Sequence, residues 1–217
     1  MTDEPGETED LLVRAARGDR EALAALWERH RKRLRQMIRV RLDRPLQGRV
    51  DPSDVLQEAY VDMAERLPEY VRDRTFPPYL WLRLVAGQRL MQIHRRHLGT
   101  AMRDAGREVS LHRGALPQAS TASLAAQLLG RFTTASEALV RAEARLQVQQ
   151  ALNQMEPIDR EVIALRHFEE LSNAETAEVL GISPQAASNR HLRALARLQA
   201  ILKDVPGLLG QEGHRPT

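Results

Sequence analysis

The residues best suited to specific chemistry lie close together near the C-terminal end. Gln185, Ser188, Asn189, Arg190 and Arg193 fall within a little over two helical turns. Asn and Gln side chains pair with adenine edges, and Arg forks onto guanine edges or phosphate. Such contacts need a helix whose early residues enter the major groove of DNA. The preceding residues supply one. Ser172 and Glu175 form a Ser-x-x-Glu capping box that starts a first helix. Ala177 is small where two helices must cross, and Gly181 can take the left-handed conformation that stops the first helix. Ile182 then fills the angle, and Ser183-Pro184 caps and opens the second helix, with Leu192, Leu195, Leu198 and Leu202 expected on its buried face. The competing possibility is a plain helical hairpin with a solvated basic face. Two caps, a small residue, a glycine and an apolar plug at matching offsets favour a DNA-binding helix-turn-helix.

Two further clusters stand upstream. Asp54, Gln57, Glu58 and Asp62 follow Asp51-Pro52, a strong helix start. On that helix Leu56, Ala59, Tyr60, Met63 and Leu67 share the inner face, which leaves a largely acidic outer surface. It suits a basic partner or is simply solvated. Phe76, Tyr79 and Trp81 can stack on unpaired bases, and Arg83, Arg89, Arg95 and Arg96 can track phosphates. The aromatics are equally suited to core packing, which is expected for at least one of them. The basic run from Arg29 to Arg41 is a second phosphate surface or a solvated face.

Other chemistry is poorly supplied. The chain has no cysteine, so it has neither disulfides nor thiolate metal sites. His94-x-x-His97 has no third ligand nearby in sequence, so no metal or other cofactor is expected. Ser110 and His112 lack the glycine pattern of a nucleophile elbow, and no catalytic constellation is present; an enzyme is not expected.

The elements that must position these residues are helical. The 217 residues are 42% apolar but only 4% aromatic, which favours Leu/Ala/Val/Ile cores between packed helices. Helices are expected at roughly 8–17, 20–43, 52–66, 76–98, 136–155, 159–169, 173–180 and 184–202, with no sustained strand alternation. The stretch from Gly99 to Ser136 is rich in Gly, Ser, Thr, Ala and Gln and reads as a linker, with room for a short helix near 123–129. The expected fold is therefore all-α: two small helical domains joined by a flexible linker, the second carrying the helix-turn-helix. The boundaries are an acidic disordered tail at 1–7, a first domain at 8–112, a linker at 113–135, a second domain at 136–204 and a tail at 205–217. No apolar run is long enough to span a bilayer, and the acidic N-terminus is not a secretory signal, so a cytoplasmic protein is expected.

Net charge is only +3, but it is segregated: nine Arg or Lys and one acid lie between Arg29 and Arg49, and four basic residues and no acid between Ser183 and Lys203. Separate basic and acidic surfaces imply two kinds of partner, a polyanion and something basic.

These motifs resemble the sigma-70 family of bacterial transcription factors. Residues 145–202 are similar to the family's −35-reading region, through Pro157-Ile-Asp-Arg-Glu-Val162, Leu165-Arg166 and Ser188-Asn-Arg-His-Leu-Arg-Ala194. Leu11 to Leu42 resembles the opening helices of the sigma core domain, Asp51 to Tyr60 the polymerase-binding helix, and Phe76 to Arg96 the segment that melts and reads the −10 element. The two-domain layout is similar to the extracytoplasmic-function group. The resemblance implies core RNA polymerase and promoter DNA as partners, with an anti-sigma protein common in that group. It assigns Asp54, Gln57, Glu58 and Asp62 to polymerase binding, and Tyr79, Trp81, Arg83, Gln88, Arg89, Arg95 and Arg96 to the −10 element. Gln185, Ser188, Asn189, Arg190, Arg193 and Arg166 go to the −35 element. One departure is plain: Ala86-Gly87-Gln88-Arg89 stands where the family often has an Arg-Asn pair. The alternative is a stand-alone helix-turn-helix regulator that does not bind core polymerase.

Overall fold

A computed structural model describes residues 5–42, 46, 48–74, 76–98, 116–132 and 138–203. The expected tail at 205–217, the two ends of the expected linker (113–115 and 133–135), and Ser110 and His112 lie outside the described residues. Among those described there is no β-strand. The chain divides into two compact units, Met1–Pro117 and Gln118–Thr217.

The first unit holds α1 (Pro5–Ala16), α2 (Arg20–Arg41), α3 (Pro52–Asp73) and α4 (Pro78–Leu98). α1 starts inside the stretch expected to be a tail, because Thr8 is buried and Arg29 of α2 donates to Glu7 and to Thr8 Oγ1. Asp19 caps α2 by accepting from the amides of Glu21 and Ala22, and Asp51 caps α3 by accepting from Ser53. Val55, Leu56, Ala59, Met63 and Leu67 of α3 are buried against the neighbouring helices, and a full-sized apolar side chain gains about 1.5–3 kcal/mol from such burial.

α3 runs past Pro68, where the sequence pattern was expected to stop at 66. Proline within a helix removes a hydrogen bond and costs about 3 kcal/mol. Tertiary anchoring just beyond it compensates. Tyr70 is buried, stacks on Trp81 of α4 with ring centroids 4.3 Å apart, and donates its hydroxyl to the Phe76 carbonyl at 2.8 Å. That burial pushes the Tyr70 phenol up to about 12.

The second unit holds α5 (Thr121–Phe132), α6 (Ala138–Asn153), α7 (Pro157–Ile163), a π-helical turn (Ala164–Phe168), α8 (Asn173–Leu180) and α9 (Pro184–Lys203). α5 lies within the stretch read as a linker. It packs on α6 and buries Leu124, Ala125, Leu128 and Leu129, which explains why that stretch is apolar for a spacer. The capping box of α8 is formed in both directions, and Gly181 adopts φ 63°, the left-handed conformation that ends α8. Ala187 and Ala194 of α9 are fully buried and let α7 and α8 approach α9 closely.

Candidate nucleic-acid interface

The outward face of α9 carries Gln185, Asn189 and Arg193, all exposed, with Ser188 half-buried beside them. Gln185 Nε2 donates to Asn189 Oδ1 at 3.3 Å, and Arg193 Nε lies 3.4 Å from the Asn189 carbonyl. Their amide and guanidinium groups form one polar strip over the first half of the helix. Leu192 joins this strip. It is 64% exposed, not on the buried face where helical spacing placed it. Ala194, Leu198 and Leu202 carry the inner face instead, and Leu195 is half-buried.

Two expected base or phosphate contacts point elsewhere. Arg190 turns back toward Asp159 of α7, 3.6 Å away, and Arg197 approaches the same carboxylate at 3.5 Å. Asp159 is buried, so this pairing braces α9 against α7. Arg166 donates to the Leu171 carbonyl and so ties the π-helical turn to the start of the motif. His191, also on α9, meets His167 with Nε2 atoms 2.8 Å apart. Burial first, then His167 and Arg166, push the His191 pKa down. Asp159 was legible in sequence only as part of a resembling motif, and the histidine pair carried no signal, since its members lie 24 residues apart.

In the first unit the expected polymerase-binding and −10 residues meet each other. Arg89 of α4 donates to both carboxylate oxygens of Asp62, 2.8 Å for one of them, and to Glu58 at 3.2 Å. Its pKa is raised, mainly by the hydrogen bond with Asp62. Arg96 lies 3.9 Å from Glu58, and Arg66 donates to Gln88 Oε1 at 2.6 Å. Asp62 is thus a buried partner of α4 rather than part of an outer acidic face. Asp54 and Gln57 are exposed, as is Val61. Beside them, between α2 and α3, runs a groove of about 360 Å³ whose lining includes Trp27, Leu56, Gln57 and Tyr60.

Three residues expected at the −10 element are buried. Tyr79 packs under the Arg33 guanidinium, 3.5 Å from the ring centroid, and Trp81 stacks on Tyr70, so neither offers an open face to a base. Arg83 is 4% exposed and cannot track a phosphate in this conformation. Arg95 and Arg96 remain exposed, as do Lys32, Arg35 and Arg39 of α2. Gly87 is buried at the middle of α4, with Leu116 seated on it: a Cβ there would lie 1.7 Å from Leu116 Cδ2. Among the described residues no cluster of His, Asp and Glu is placed to hold a metal, and no helix is long and apolar enough to cross a membrane.

The second unit thus carries a braced helix-turn-helix whose polar outer strip is suited to the major groove of DNA. Residues 145–198 match the family described as sigma-70, region 4. The RNA polymerase sigma factor NccH of Alcaligenes xylosoxydans xylosoxydans is 29% identical over 207 residues, 94% of this chain and 98% of that protein. A solved structure of CnrH in complex with the cytosolic domain of CnrY shares the fold, with a TM-score of 0.54 and 24% identity over 91% of this chain and 97% of that one. Residues 145–198 thus resemble a sigma-70 region 4 domain, and over most of its length the chain is similar to a protein named as an RNA polymerase sigma factor.

Proposed function

We propose that α9 reads the −35 element through Gln185, Asn189, Leu192 and Arg193, while the exposed part of α3 docks core RNA polymerase and α4 takes the −10 strand. The carrying observation is the outward strip on α9, held in place by Arg190 and Arg197 on the buried Asp159. Asn189 and Gln185 suit adenine, Arg193 suits guanine or phosphate, and Leu192 suits a thymine methyl. Arg190 acts as a brace. On α3, Asp54, Gln57 and Val61, with the groove lined by Trp27 and Tyr60, offer a mixed acidic and apolar surface to a basic helical partner. Arg95 and Arg96 supply phosphate contacts on α4.

Sigma action changes no bond: this chain gives the polymerase promoter specificity and helps open the duplex, in the cytoplasm where the polymerase works. The solved relative was captured with a cytosolic domain of another protein, which supports an anti-sigma protein as a partner of this chain too.

The test is initiation in vitro by core polymerase on a random promoter library. Promoter-dependent transcripts that need this chain are expected. Their absence, with sequence-specific duplex binding intact, would instead make the chain a stand-alone regulator. Asp54→Lys with Gln57→Lys is the sharper variant: core association is expected to disappear while duplex binding persists.

A further inference from the structure

Glycine at the centre of a twenty-one-residue helix is a poor choice for the helix itself. Gly87 is also buried, and the group that covers it comes from outside α4. A Cβ at Gly87 would lie 1.7 Å from Leu116 Cδ2 and 2.9 Å from its Cγ, so the missing side chain is the space Leu116 occupies. Leu84 and Met91, three residues before and four after, share this face by helical spacing and are half-buried. Together they make an apolar notch matched to one leucine. Arg83, one turn before Gly87 on the same face, is 4% exposed. The next two residues are also engaged within the unit: Gln88 accepts from Arg66, and Arg89 donates to Asp62 and Glu58.

We propose that Gly87 is a socket for the chain's own Leu116. The free factor thereby holds Leu116, ahead of α5, on the helix assigned to the −10 strand, and that strand must displace Leu116 to bind. This rests on the assignment of α4 to −10 DNA. The socket needs glycine because any side chain evicts the leucine. Leu116 lies over the middle of α4, so the clasp competes with the −10 strand for the same surface.

The test uses the full chain and two variants that reach the contact from opposite sides. Gly87→Ala fills the socket with a residue that favours helix, so folding is retained, and Leu116→Ala empties it. Hydrogen exchange at and around Leu116 is expected to rise in both. Affinity of the free protein for a fluorescent pool of short single-stranded DNA of mixed sequence is expected to rise several-fold in each. The double variant is expected to gain no more than either single one, because both remove one contact. Unchanged affinity in both variants overturns the proposal, and so does faster exchange with no gain in affinity. Initiation by wild-type chain with core polymerase is measured in parallel. If that works while the variants gain nothing, the clasp is wrong and the sigma assignment stands. If it fails, the assignment of α4 fails with it.

Discussion

The helices proposed to face DNA in the two units are built on opposite plans. α9 turns Arg193 and its amides outward and uses Arg190 and Arg197 to anchor itself on Asp159. α4 spends its central polar groups internally: Arg89 on Asp62 and Glu58, Gln88 on Arg66, and Gly87 under Leu116. On the proposed assignments, one reader is preset and the other is latched. Double-stranded −35 DNA presents its base edges without distortion, so a rigid strip suffices to read it. A −10 strand becomes available only after the duplex opens, and a helix whose central cation, Arg89, is held until then makes fewer unproductive contacts with other polyanions.

The largest effect that would break this contrast belongs to Asp62. Asp62→Ala leaves the half-buried Arg89 with Glu58 alone, and breaking a largely buried ion pair costs about 3 kcal/mol. Urea unfolding of the full chain is expected to show the loss in its first-unit transition. A change below about 0.5 kcal/mol would place the pair among surface ion pairs of little worth.

On α9 the expected effects are on binding. Asn189→Ala is expected to weaken binding to the selected −35 duplex by about 1–3 kcal/mol and to relax preference at one adenine. Arg190→Ala is expected to weaken all sequences alike and to lower the second unit's melting temperature. Relaxed preference at a single position after Arg190→Ala would return Arg190 to the reading strip. Leu192→Ala is smaller, near 0.8 kcal/mol for each buried methylene. Replacing thymine by uracil at the contacted position is expected to weaken the wild type and leave the variant unaffected, whereas equal sensitivity in both would remove Leu192 from the interface.

The smallest effect is pH-dependent. Folding holds His191 below its ordinary value of 6.5, so the neutral form is the one the fold prefers. Stability from this group is complete above 6.5 and is lost as pH falls toward the depressed folded value. The second unit is expected to melt at lower temperature near pH 5 than near pH 7, and His191→Gln is expected to flatten that slope. A slope unaltered by the substitution would show that other groups set it.

The helix-turn-helix was legible because its determinants are local. Ser172, Glu175, Gly181 and Pro184 act on their own backbone within a few residues, and the structure forms the cap and the left-handed turn where the spacing put them. The side a given residue faces was less legible. Arg83 reads as a surface cation yet is buried, Leu192 reads as core yet is exposed, and Asp62 reads as an outer acid yet faces α4. Each outcome depends on partners far away in sequence. Pro68 marks a helix end by local rules and is overridden by the Tyr70–Trp81 stack. Gly87 looked like a weakness of its helix until Leu116, 29 residues on, was seen to fill the space.

The most direct measurement compares the free chain with its complex with core polymerase on the two halves of one selected promoter, the −35 duplex and the −10 non-template strand. A preset and a latched reader predict that the free chain binds the −35 duplex specifically, and that it gains specific −10 strand binding only with core. Equal and specific −10 binding with and without core would contradict the account.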